Sequence, residues 1–104
     1  MTQIYTVHIE AQALDQLATI GAHIAHRSTG HIAADFVNRV LDHAGDLNMY
    51  PNRGTQRDDI RPGLRTISYR KRVIIAFTVN ENTHTVAILG FFYGGQDWET
   101  ILSS

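Results

Sequence analysis

The chain has 104 residues, enough for one domain over residues 1–104 with a single hydrophobic core. Its 43% hydrophobic and 18% charged residues are typical of a globular protein and exclude a disordered one. The sequence contains no apolar run long enough to span a membrane and no signal-peptide pattern, so we expect a cytoplasmic location. The lack of cysteine excludes disulfides and thiolate metal sites.

Charge is distributed unevenly, although the formal net charge is only −1. Residues 53–72 carry seven basic and two acidic side chains, a net charge of +5, whereas the rest carries two arginines and eight carboxylates, a net charge of −6. This segregation favours a basic patch that faces an acidic partner or nucleic acid. A solvated loop and hairpin would explain it equally well. A protein that binds the phosphate backbone is usually basic overall, and this one is not.

The first element in chain order is a predicted strand, Ile4–Ile9, in which apolar and polar residues alternate. A helical pattern follows from Glu10, with apolar residues at spacings of three and four. The predicted inner face of this helix consists of Leu14, Leu17, Ala18, Gly21, Ile24 and Ala25.

A second helix is predicted after a short polar link, with Ser28 or Thr29 as its N-terminal cap. It runs to about Met49, and Pro51 stops it because the residue before proline disfavours helical dihedrals. The short link predicts an antiparallel helical hairpin. The predicted inner face of the second helix is Ala33, Phe36, Val37, Val40, Leu41, Ala44 and Leu47.

The second half predicts a polar loop over residues 52–62 and then a three-stranded antiparallel meander. Its strands are Leu64–Tyr69, Val73–Val79 and Thr83–Tyr93, separated by short polar turns. In the middle strand Val73, Ile75, Phe77 and Val79 share one face. In the last strand the alternation predicts one face with Val86, Ile88, Gly90 and Phe92 and the other with Ala87, Leu89, Phe91 and Tyr93.

After the last strand, Gly94 and Gly95 break the ladder, and Asp97 can cap a final helical turn over Trp98–Leu102. The order of elements is β-αα-βββ. It predicts an α+β fold in which a helical hairpin packs against an antiparallel meander.

Three short motifs in this order resemble the ParE/RelE family of toxins from type II toxin–antitoxin modules. They are Tyr50-Pro51 with Gly54, the segment Arg61-Pro62-Gly63-Leu64-Arg65, and the ending Phe92-Tyr93-Gly94-Gly95-Gln96-Asp97. They are similar to the YPxxG, RPGLR and hGxRD patterns of the ParE branch, and the resemblance covers essentially the whole chain. The chain departs from it at Tyr93, where many members have histidine, and at Gln96, where most have arginine.

The resemblance implies two possible activities. Members of the RelE-like branch cleave mRNA in the ribosomal A site, whereas those of the ParE-like branch, also known as plasmid stabilisation system toxins, inhibit DNA gyrase without known catalytic chemistry. Fold alone does not choose between these activities. Both kinds of toxin are neutralised by a cognate antitoxin in a hetero-oligomer. An inactive interaction module that keeps only the fold is a third possibility.

An RNA-cleaving site would need a base, a cation for the developing phosphorane charge and an acid for the leaving oxygen. The candidate catalytic residues are Arg65, which could bind a phosphate with two hydrogen bonds, and Tyr93. A structural salt bridge from Arg65 to Asp58, Asp59 or Asp97 is equally compatible with the sequence. No histidine or glutamate in the second half is placed as a base, which argues against this chemistry.

We expect no cofactor and no metal site, because His23 and His26 share a helix face without a third ligand nearby. The sequence therefore favours a ParE-like toxin that acts on DNA gyrase by protein contact and is not an enzyme. The alternative is a ribosome-dependent endoribonuclease. The residues expected to contact the target or the antitoxin are Arg61, Arg65, Arg72, Phe92, Tyr93, Gln96 and Asp97.

Overall fold

Residues 4–103 are described by a computed structural model, in which two long helices lie against one face of a mixed sheet. In chain order the elements are β1 (Thr6–Ile9), α1 (Ala11–Arg27), α2 (Gly30–Gly45), a 3₁₀ turn (Asp46–Asn48), β2 (Thr55–Gln56), β3 (Arg65–Tyr69), β4 (Val73–Asn80), β5 (Thr85–Tyr93) and α3 (Trp98–Ser103). The predicted α+β class and the β-αα-βββ order are confirmed, with one short strand added.

The sheet has the strand order β1-β5-β4-β3-β2. Strands β3, β4 and β5 form the predicted antiparallel meander, and β1 joins its far edge parallel to β5, with Val7 opposite Val86. Strand β2 was predicted as loop, but Thr55 and Gln56 pair with Thr66 and Arg65. Two residues are too few to show a period-2 pattern in the sequence. This strand forms by pairing with the edge of β3.

The core-facing side of α1 differs from the prediction. Its buried residues are Ala13, Leu17 and Ile20, and the predicted Leu14 is 49% exposed. The predicted small residues lie instead along the groove between α1 and α2, where a Cβ on Gly21 would be 3.0 Å from Val37 Cγ2. Both stripes of this helix are apolar, so the sequence period could not tell which one faces the sheet.

The second helix follows the sequence closely. The Thr29 hydroxyl accepts a hydrogen bond from the backbone N–H of Ile32 at 3.1 Å, which confirms the predicted cap. Helix α2 ends at Gly45 and tightens into the 3₁₀ turn rather than continuing to Met49. The buried residues of this segment are Ala33, Val40, Ala44 and Leu47, all from the predicted inner face.

Strand β5 contains a bulge that changes the predicted faces. Its register with β4 shifts so that Ala76 pairs with Gly90 and Phe77 with Ile88, which leaves Leu89 unpaired. The alternation is therefore reversed after Gly90, and Phe91 rather than Phe92 lies with Ile88 in the core beneath the helices. The predicted common face of Val86, Ile88, Gly90 and Phe92 is wrong for this reason.

The outer face of the sheet carries a second, smaller core of buried and half-buried residues, covered by α3. Asp97 caps this helix as predicted, since its carboxylate accepts hydrogen bonds from the Thr100 N–H at 3.3 Å and the Thr100 hydroxyl at 2.6 Å. Arg57 contacts the same helix through Glu99 at 2.7 Å and lies 5.1 Å from the centre of the Trp98 ring. The members of this second core are Leu64, Ala76, Phe92 and Leu102, with Ile60, Ile74, Leu89 and Trp98 beside them.

Candidate functional site

The end of β5 and the turn between β3 and β4 bring together three of the residues predicted from the sequence. Tyr93 pairs in register with Val73, and the Arg72 guanidinium donates a hydrogen bond to the Tyr93 hydroxyl at 2.9 Å. The backbone N–H of Tyr93 donates to the side-chain oxygen of Gln96 at 2.9 Å. Arg72, Tyr93 and Gln96 therefore form one hydrogen-bonded group at this end of the sheet.

The β3–β4 turn fixes the position of its basic residues through an unusual backbone. Arg70 and Lys71 have φ values of 51° and 57°, and the Arg72 N–H donates to the Tyr69 carbonyl at 2.9 Å. Two successive residues with positive φ make a two-residue hairpin turn, for which asparagine and glycine are the favoured residues. The chain has arginine and lysine there instead. The turn therefore presents cationic side chains at positions where asparagine and glycine would be more stable.

The helical hairpin adds an aromatic wall to this group. The Arg72 guanidinium carbon lies 5.3 Å from the centre of the Phe36 ring and 5.8 Å from that of Tyr93. The rings of Phe36 and His23 each lie 6.2 Å from the Tyr93 ring in edge-on geometry. Cation–π contacts of this length hold a guanidinium in place at a partly exposed site.

These side chains border a cleft of about 280 Å³ between the helical hairpin and the sheet. The last turn of α1 and the link after it supply His23, Ile24, Arg27 and Ser28, and α2 and the sheet supply Ile32, Phe36, Arg72 and Tyr93. Its lining therefore combines two arginines, a histidine and a tyrosine with an apolar wall.

Arg65 lies apart from this cleft. Its guanidinium donates to the backbone carbonyls of Asn52 at 3.1 Å and Arg53 at 3.4 Å. It pairs with Phe77, whereas Tyr93 lies in the cross-strand row of Tyr69, four residues or about 13 Å further along β3. The two candidate catalytic residues, Arg65 and Tyr93, therefore do not converge on one phosphate.

The alternative salt bridge from Arg65 to a nearby carboxylate is wrong. Asp59 pairs with Arg57 at 3.0 Å, and Asp58 accepts a hydrogen bond from the Gly63 N–H at 2.8 Å. Asp97 is bonded to Thr100. Arg65 nevertheless has a structural partner, since it ties β3 to the segment that follows the 3₁₀ turn.

Two other predicted contact residues are placed differently from the cleft. Phe92 is only 2% exposed and belongs to the outer core, so in this conformation it offers no surface to a partner. Arg61 is half-buried in the turn before β3, where its N–H donates to the Arg57 carbonyl. It lies at the opposite end of β3 from the cleft.

Perturbed acidities in the second half of the chain lie around α3. Hydrogen bonds from the Thr100 hydroxyl and N–H lower the pKa of Asp97. The bidentate hydrogen bonds from Arg57 likewise lower the pKa of Asp59, and Asp59 and Glu99 together raise the pKa of Arg57. Only the Arg57–Glu99 pair links α3 to another segment, whereas the Asp97–Thr100 and Arg57–Asp59 contacts are local.

Two general features of residues 4–103 bear on the kind of site. Within this range no three histidine, aspartate or glutamate side chains are grouped so that they could hold a metal ion. In the same part of the chain, no helix is both long and apolar enough to cross a membrane.

The family model of the ParE toxin of type II toxin–antitoxin systems, parDE, matches residues 7–98. The chain belongs to this family. The match runs from β1 to the first residue of α3, so this ParE-family toxin carries the family domain over most of its length. No individually curated protein is similar enough in sequence to count as a match.

Solved structures share the fold of this ParE-family toxin. A chain of the chromosomal ParDE toxin–antitoxin system from P. aeruginosa has a TM-score of 0.76 and 19% identity, covering 88% of this chain and 98% of that one. The RelBE2 toxin–antitoxin complex from Mycobacterium tuberculosis gives a TM-score of 0.61 and 20% identity, with 88% and 99% covered. A mutant of the E. coli toxin RelE in the free state gives 0.68 and 11%, with 96% and 94% covered.

Sequence reasoning assigned only Arg72 and Tyr93 of the cleft lining to a site, and among the residues that it missed are His23, Arg27 and Phe36. The sequence places His23 on one helix face with His26 and Phe36 on the predicted inner face of the second helix. The available signal was the i, i+4 spacing of His23 and Arg27, which places them on one side of α1 near its end. Only the packing of the hairpin on the sheet shows that this side faces Tyr93.

Proposed function

We propose that this ParE-family toxin inhibits DNA gyrase by protein–protein contact and is neutralised by a cognate antitoxin. The observation that carries the proposal is the ParE family match over residues 7–98. The P. aeruginosa and M. tuberculosis structures come from toxin–antitoxin systems, which supports an antitoxin as the partner here.

The geometry of the predicted catalytic residues also favours protein contact over catalysis. A phosphoryl-transfer site needs its cation and its acid or base within reach of the same phosphate. Arg65 is committed to two backbone carbonyls, and Tyr93 lies at the other end of the strands. A protein that acts by contact needs no such convergence.

One observation favours the second candidate, a ribosome-dependent mRNA endonuclease. The cleft places His23 beside Tyr93 and Arg72, which supplies a possible base, acid and cation in one location. The sequence had offered no histidine for this role. The two candidate functions therefore depend on different residues. Catalysis would require Arg72 and His23, whereas gyrase contact would involve a broader surface.

The deciding experiment compares the two targets directly. Purified toxin is titrated into gyrase with relaxed plasmid and ATP, and in parallel into a cell-free translation extract whose mRNA ends are mapped. We expect loss of supercoiling or trapped cleaved DNA, with translation intact. A His23→Ala variant should inhibit gyrase as well as the unmodified chain does.

Ribosome-dependent mRNA cuts that disappear in His23→Ala would refute gyrase inhibition and establish the endonuclease. A soluble protein that inhibits neither process and does not arrest growth when expressed alone would instead be the inactive interaction module. Where growth is arrested, co-expression of the cognate antitoxin should restore it.

A further inference from the structure

The cleft beside Tyr93 continues into a second depression along the same helix. This depression has a volume of about 340 Å³ and shares Ile32, Phe36 and Arg72 with the cleft. It extends to Tyr69 and Arg70 at the β3–β4 turn. Together they form one channel between α2 and the sheet, which we call the arginine trough. Its defining residues are Arg27, Ile32, Phe36, Tyr69, Arg70 and Arg72.

The trough is rich in positive charge, and Asp42 and Asp46 border the adjoining depression beside Arg70. Arg27, Arg70 and Arg72 form no ion pair within residues 4–103. The one carboxylate on its lining, Asp35, is bonded to Arg39 at 2.9 Å. Three guanidinium groups along one channel attract an anionic ligand, and bidentate donors of this kind match carboxylate or phosphate oxygens.

The aromatic rings of the trough already have partners on their faces. Arg72 lies over Phe36 and Tyr93, and Arg70 lies 5.5 Å from the centre of the Tyr69 ring. Single-stranded nucleic acid is bound by stacking its bases on exposed ring faces, and here each of these rings has a guanidinium group within 5.8 Å of its centre. A stacked guanidinium still presents N–H donors at its edge, so the arrangement favours carboxylates over nucleobases.

An apolar surface lies between the arginines of the trough. Ile32 is 52% exposed although it borders both depressions, and Ile24 and Phe36 lie beside it at the cleft. A purely ionic ligand would leave this surface uncovered. A ligand that alternates carboxylate and aliphatic groups would satisfy both parts of the trough.

We propose that the arginine trough binds an extended acidic peptide in which aliphatic residues alternate with carboxylates. The carboxylates contact Arg27, Arg70 and Arg72, and an aliphatic side chain covers Ile32 between them. The inference rests on the proposed function in one respect, since such a peptide would belong to a protein partner of the toxin.

Substitutions in the β3–β4 turn can distinguish a loss of binding from a loss of folded protein. Because Arg70 and Lys71 occupy positive φ, replacing them with asparagine and glycine should make the turn more stable while removing Arg70 from the trough. If this variant is more stable but binds the acidic peptide less tightly, the weaker binding is due to the missing arginine. Arg27→Gln and Arg72→Gln remove the other two guanidinium groups, and the exposed Arg53→Gln, outside the trough, is the matched control.

The measurement is fluorescence anisotropy with a labelled peptide in which glutamate and leucine alternate, and with the same peptide carrying glutamine for glutamate. We expect the glutamate peptide to bind and the glutamine peptide to bind much more weakly. Each loss of a trough arginine should weaken binding about tenfold, since a hydrogen bond to a charged group is worth roughly that factor. Arg53→Gln should stay within about twofold of the unmodified chain, and added salt should weaken binding.

Equal binding of the two peptides would overturn the proposal, as would equal losses in Arg53→Gln and Arg72→Gln. Tighter binding of oligouridylate that depends on Arg27 and Arg72 would make the trough a nucleic-acid site instead. These results are independent of the supercoiling assay. A toxin that inhibits gyrase but ignores the peptide refutes only the peptide, and one that binds the peptide but spares gyrase refutes only the proposed target.

Discussion

Replacing Arg65 by alanine removes the side chain that ties β3 to the segment after the 3₁₀ turn. The Nη1 group makes one hydrogen bond of normal length, 3.1 Å to the Asn52 carbonyl, and one long contact, 3.4 Å to the Arg53 carbonyl. Asn52 and Arg53 are both exposed, so water can replace the lost donor at each carbonyl. The cost should therefore lie near the low end for such a bond, at about 1 kcal/mol.

A loss of this size should lower Tm by about 4–8 °C in a domain of this length. The assay is urea unfolding of Arg65→Ala alongside growth arrest normalised to soluble protein. Arg65→Lys keeps the charge but loses the planar fork, so its stability should fall between those of Ala and the unmodified chain. Arg61→Ala is the control, since its guanidinium makes no side-chain hydrogen bond within residues 4–103, and it should change the unfolding free energy by less than about 0.5 kcal/mol.

The structural reasoning would fail if Arg65→Ala unfolded at the same urea concentration as the unmodified chain while toxicity disappeared. Arg65 would then be a target contact, as the sequence alone had favoured. Toxicity that falls only in proportion to folded protein supports the structural role.

Two further predictions concern the bulge and the cap of α3. Gly90→Ala should destabilise the fold by about 1–3 kcal/mol, because the new Cβ would lie 2.6 Å from Phe92 Cζ and 2.8 Å from Gln16 Oε1. Gly95→Ala, whose Cβ meets nothing within 4 Å, should be nearly neutral in the same urea titration, and equal effects would contradict the crowding argument. Because the pKa of Asp97 is lowered on folding, its stabilisation is present above its unfolded pKa of about 3.9 and is lost as the pH falls through the folded value. The stability difference between the unmodified chain and Asp97→Asn should therefore shrink below about pH 4, and parallel stability curves down to about pH 2 would argue against this assignment.

The sequence predicted those features that depend on a few neighbouring residues. Thr29 and Asp97 were recognised as caps because a cap bonds to the backbone or side chain three residues away. The meander was predicted because β3, β4 and β5 keep a period of two over most of their length. Family motifs then identified the fold that these elements build.

Features that depend on distant neighbours were not predictable in the same way. Beside the bulge after Ile88, the side-chain oxygen of Gln16 accepts a hydrogen bond from the N–H of Phe91 at 2.9 Å. The neighbourhood of Tyr93 likewise requires the docking angle of the helical hairpin, which brings His23 and Phe36 to it. No local pattern in the sequence encodes either contact, because each joins elements far apart along the chain.

The pairing of β1 with β5 determines when the fold can be completed while the chain is being synthesised. Thr6 and Thr85 are opposite one another, so the first strand waits for almost the entire chain before its partner is made. The helical hairpin and the β3–β4 pair consist of nearby residues and can form earlier, as domains do during translation. The cleft needs Tyr93 as well, which follows later still. The parallel pairing of β1 and the cleft can therefore form only after β5 has emerged, and any truncation before β5 removes both.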